Sequence, residues 1–84
     1  MKNKQILGAL AMDLKRVAFG YFRGSIPMAE RFFEEALKRR DDLDKKELKP
    51  YLAKFLQNME KIKAEKGADD ALLYSTIFQN ASQV

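Results

Sequence analysis

Apolar residues recur at three- and four-residue steps along nearly the whole chain, the spacing that stacks side chains on one face of an α-helix. Leu7, Leu10, Ala11, Leu14, Val17, Ala18 and Tyr21 form the first such stripe and predict a helix from about Asn3 to Phe22. Met28, Ala29, Phe32, Phe33, Ala36 and Leu37 form a second, over about Pro27 to Arg40, with Glu30, Arg31, Glu34, Glu35 and Lys38 on the opposite arc. A third stripe runs through Leu48, Tyr51, Leu52, Phe55, Leu56, Met59 and Ile62. No segment alternates apolar and polar residues as a half-buried strand does.

The breaks between stripes carry turn chemistry. Gly24 can adopt the left-handed conformation that closes many helices. Pro27 fits the first turn of the next helix and pushes Ile26 toward an extended backbone. Asp44 and Glu47 resemble a capping box, but Pro50 would then lie too deep in the helix, so the regular part of the third helix is expected to start later. Gly67 is expected to end that helix, and Asp69 or Asp70 to cap a fourth that reaches toward the C-terminus. The expectation is an all-α, single-domain bundle of four helices with short connections.

Residues 17–39 resemble one tetratricopeptide helical hairpin. Tyr21 in the first helix, Gly24 at the turn, Ile26 where an aromatic is usual, and Ala29, Phe33, Ala36 and Leu37 in the second helix carry the match. The resemblance implies that small alanines let the two helices approach while aromatics fill the gaps. Arg16 and Val17 stand where the pattern has Leu and Gly, and no proline follows the second helix. No second unit follows, because one repeat length further on Lys63 and Gly67 fall at the positions of Ala29 and Phe33. With a third amphipathic helix after the hairpin, the chain also looks like a microtubule-interacting-and-transport domain.

Composition narrows the chemistry. The 84 residues contain no cysteine and no histidine. Disulfides are therefore excluded, a reducing cytoplasm is the simplest setting, and the usual general base and commonest transition-metal ligand are missing. Ser25, Ser75, Thr76 and Ser82 have no histidine to activate them. Asp41, Asp42, Asp44 and Glu47 lie close together, but the third oxygen donor and turn glycine of an EF-hand loop are absent. No enzyme activity, cofactor or metal is expected. The apolar run from Ile6 to Met12 is seven residues long and meets Asp13, Lys15 and Arg16 directly, which favours a soluble helix over a signal peptide. No stretch approaches the roughly 18 apolar residues of a membrane span, and no membrane partner is expected.

Charge is unevenly placed. Residues 1–40 carry nine basic and four acidic groups, residues 41–66 seven and six, and residues 67–84 only Asp69 and Asp70. From Ala71 to Val84 there is no charged residue, in a protein that is 33% charged and +4 overall. Met12 and Phe19 form a second, narrow apolar seam on the first helix, with Lys15 between them. Contact cores are depleted in charge. The expected function is thus a non-enzymatic interaction module forming a homo-oligomer, most simply a dimer, through Met12, Phe19, Leu73, Tyr74, Ile77 and Phe78. The alternative is a small nucleic-acid-binding protein using Arg23, Arg31, Lys38, Arg39 and Arg40, a cluster that also suits a helix C-terminus.

Overall fold

The first helix ends where the glycine signal places it. In the computed structural model, which describes residues 2–61 and 67–83, α1 spans Lys2–Phe22 and α2 spans Ile26–Asp41. Between them Gly24 has φ +74°, and Ser25 N–H donates to Gly20 O at 2.8 Å while Gly24 N–H donates to Tyr21 O at 3.1 Å. That pair of bonds is the Schellman closure, which needs a left-handed residue at the glycine. Pro27 sits in the first turn of α2.

Helix α3 (Pro50–Asn58) starts at Pro50, later than a capping box at Asp44 would place it. Asp44 instead caps a short 3-10 turn, Lys45–Glu47, accepting from Lys46 N–H at 3.0 Å. A second 3-10 turn, Met59–Lys61, extends α3; Ile62, the last position of its predicted stripe, lies outside the described residues. Helix α4 is Gly67–Ser82. Gly67 therefore opens α4 rather than ending α3, and Asp69 and Asp70 lie in the first turn rather than at the cap, where they still face the positive end of the helix dipole. The protein is a small all-α bundle of four helices, and no strand occurs among the described residues.

Helix α1 is the hub. It packs antiparallel to α2, with Gly20 beside Ala29 and Asp13 beside Arg39. It also packs antiparallel to α4, with Tyr21 beside Gly67, Ala11 beside Ser75 and Gly8 beside Ser82. Both contacts depend on small residues. A Cβ added at Gly20 would fall 2.9 Å from the backbone nitrogen of Ala29, and one at Gly67 would collide with the Tyr21 ring. Val17, Ala18, Ala29 and Ala71 fill the space where the three helices meet.

Helices α2, α1 and α4 thus form a layer, and the main core lies on one side of it. There Leu52, Leu56 and Met59 of the α3 segment meet Leu7, Leu10 and Leu14 of α1 and Phe78 of α4. Phe55, Tyr74 and Phe78 stack edge to face at centroid distances of 5.5 and 6.2 Å. Tyr51, placed in the buried stripe by its spacing, is half exposed, because α3 is too short and too near its own start there to be covered on that side. At the far end, buried Asn3 donates to Asp44 O and accepts from Asp44 N–H, both at 2.9 Å. This clasp fastens the α2–α3 connection to the start of α1.

Two substitutions test the hairpin. Gly24→Val should lower stability by about 1 kcal/mol or more, because a β-branched residue resists positive φ. Gly20→Val should cost roughly 1–3 kcal/mol by overpacking against the backbone of α2. Chemical denaturation of each variant reads both effects.

Candidate functional site

One face of the helical layer is covered by α3. The opposite face has no helix over it among the described residues, and its side chains show the consequence. Met12 is 51% exposed and Phe19 45% exposed. Both point away from the Leu10–Leu14 stripe that meets α3, since each helix position turns by about 100°. On α4, Ser75 meets α1 and Tyr74 meets α3, so Leu72, which is 40% exposed, lies on the flank away from α3. The antiparallel register, with Ala11 beside Ser75 and Tyr21 beside Gly67, sets Leu72 beside residues 14–18 of α1. Met12, Phe19 and Leu72 therefore share one open face.

On the α2 side this face is closed by a charged cluster. Arg16 lies over the Phe32 ring with its guanidinium carbon 5.3 Å from the centroid, a cation–π arrangement. Its other neighbour is Asp13, whose carboxylate is almost fully buried and accepts from Arg39 Nε at 2.6 Å, with Arg16 at 3.6 Å. The sequence pattern did not single out Asp13; the only signal was its place on the α2-facing side of α1, three residues before Arg16. On the α4 side the face is neutral: Thr76, Gln79, Asn80 and Gln83 are exposed.

The six predicted contact residues do not form one patch. Leu73 is 55% exposed, but it is turned some 160–200° from Ser75 and points away from α1, so it cannot share a surface with Met12 and Phe19. Tyr74 and Ile77 are half-buried against the main core. Burial, and then the Asp70 carboxylate, raises the pKa of the Tyr74 phenol above its ordinary value of 10.0, which keeps it neutral. Phe78 is fully buried at the centre of the core, so it is not a surface group. The wide apolar arc of α4 has this reason: its inner face is built from Gly67, Ala71, Ser75 and Phe78, which leaves its leucines outside.

The basic residues also separate. Arg23 and Arg31 are exposed. Lys38 pairs with Glu35, three residues before it, at 3.6 Å, and Glu34 lies four before it. Arg39 has Glu35 four residues before it on its own helix but reaches across to Asp13. Arg40 is mostly buried and bonds Glu60 at 3.0 Å, with Asp41 3.6 Å away. It lines a cleft of about 280 Å³ together with Lys45, Leu56 and Glu60. Three of the five cations expected to meet phosphate are thus already paired with carboxylates.

The hydroxyls carry no nucleophile geometry. Ser75 Oγ donates to Ala11 O at 2.8 Å in the interior, Thr76 to Leu72 O and Ser82 to Gln79 O. No group of three acidic residues that could hold a metal ion occurs among the described residues. None of the described helices is long and apolar enough to cross a membrane. Comparison with protein-family models, with curated proteins and with solved structures finds no match.

Asp13→Asn removes the charge that Arg39 and Arg16 share while keeping the side-chain volume. It should cost about 1.5–3 kcal/mol, the range for hydrogen bonds to charged groups. Equilibrium unfolding of the variant beside Arg39→Gln and the double mutant gives the coupling directly.

Proposed function

We propose that the protein is a non-enzymatic helical module that self-associates through the open face of the α2–α1–α4 layer. The observation that carries this reading is the exposed Met12–Phe19–Leu72 patch on the side that α3 leaves uncovered. Isolated exposed apolar residues are ordinary, but three large ones on one face beside an uncharged helix flank are a contact surface in composition.

The occupant is a second copy of the chain. The body measures 36 × 19 × 18 Å, and its long face is of the order of the ~800 Å² that each partner of a standard interface buries. A two-fold arrangement is the simplest closed one. Lys15, between them, is exposed and can lay its aliphatic stem along the apolar surface with the ammonium at the rim. Burying Met12 and Phe19 would contribute roughly 1.5–3 kcal/mol per side chain before the cost of association. Leu73 and Phe78 have no part in this contact.

Sedimentation equilibrium tests the reading. The wild-type protein should be a dimer at high micromolar concentration, and Phe19→Glu should be a monomer with unchanged helicity by circular dichroism. A wild-type protein that remains monomeric there would overturn the proposal.

A further inference from the structure

A second surface lies at the opposite end of the core from the α1–α2 turn. The start of α1, the start of α3 and the last turn of α4 enclose a cleft of about 200 Å³. Its floor is apolar, with Leu7 and Leu52 buried and Leu48 and Ala81 half-buried. Tyr51, half exposed, stands at its wall. Lys4 and Lys49 stand at its rim, both exposed, and neither has an ion-pair partner among the described residues. Glu47 is the one acidic group among the lining residues. The only α4 residue lining the cleft, Ala81, carries no charge.

We infer that this cleft binds an acidic polypeptide segment, seating one bulky apolar side chain on the Leu48–Leu52 floor and setting flanking carboxylates against Lys4 and Lys49. Charge complementarity selects the partner. An apolar anchor alone would fit the floor equally well beside any charge, but a basic segment would meet two lysines as like charges, at an energetic cost. The half-exposed Tyr51 ring gives the anchor an apolar wall and gives the partner a hydroxyl within reach of its backbone. Phosphate chains are a poorer fit, because the described residues lining the cleft include no arginine to grip phosphate and the exposed arginines Arg23 and Arg31 lie elsewhere. The surface is separate from the Met12–Phe19 face and does not depend on self-association.

The test uses the full chain and a fluorescein-labelled synthetic amphipathic helix with leucines on one face and glutamates beside them. Fluorescence anisotropy should show saturable binding, weakened at least tenfold when the peptide's glutamates are replaced by lysine or its leucines by alanine. Lys4→Glu/Lys49→Glu should weaken binding at least tenfold. Both substitutions place acids near helix N-termini, so they should leave the fold intact. Arg23→Glu/Arg31→Glu makes the same change in net charge away from the cleft and should have little effect. Equal loss in both double variants would mean general attraction to a basic protein and would overturn the inference. So would no binding, displacement of the peptide by single-stranded RNA at matched ionic strength, or chemical-shift changes centred on Met12 and Phe19 instead of Leu48 and Tyr51.

Discussion

Everything in this bundle depends on the close approach of α1 to two neighbours at once. A helix in the middle of a layer must present small residues on both flanks and large ones on the side that faces the core. Gly20 against Ala29 on one flank, and Ala11 and Gly8 against Ser75 and Ser82 on the other, meet that condition. Leu10, Leu14 and Val17, all fully buried, supply the bulk. If either flank were larger, α2 or α4 would move outward and the α3 segment would lose the floor on which Leu52, Leu56 and Met59 rest.

The same condition leaves a surplus. A layer of three helices has two faces, and the α3 segment, nine helical residues and one 3-10 turn, can cover only one of them. Met12, Phe19 and Leu72 are what remains on the other side. Charge follows this division. Asp13 is buried at the edge of the open face only because Arg39 and Arg16 come to it, and an unpaired carboxylate there would be costly. The guanidinium groups recruited in this way are held beside Asp13 at the edge of the face.

The α1–α2 hairpin shows how local signals and packing agree. Gly24 provides the positive φ, Pro27 the first turn, and Gly20 with Ala29 the close crossing. At the other end agreement is looser. Asn3 ties the α2–α3 connection to α1 through two backbone hydrogen bonds, a job that a buried amide can do and that no periodicity announces.

The helix count, the all-α class, the course of α1, the Gly24 turn and the late start of α3 were all legible from spacing and turn residues, because these features are set within a few residues along the chain. The exposure of Met12 and Phe19 was legible as well, since both lie off the main stripe of their own helix. Gly67 reads as a terminator from sequence alone because glycine's backbone freedom and its lack of a side chain look alike there; only the Tyr21 ring reveals that it is the missing Cβ that matters. Leu73 and Phe78 looked equivalent on a helix with no charged face. Which of them is buried was decided by where α1 and α3 lie around α4. Likewise Arg39 has an acid four residues away in the chain and another on the neighbouring helix, and the second holds it, because a buried carboxylate gains more from the pairing than a solvated one. Choices among partners that are distant in sequence are made by packing, and packing exists only once the helices have met.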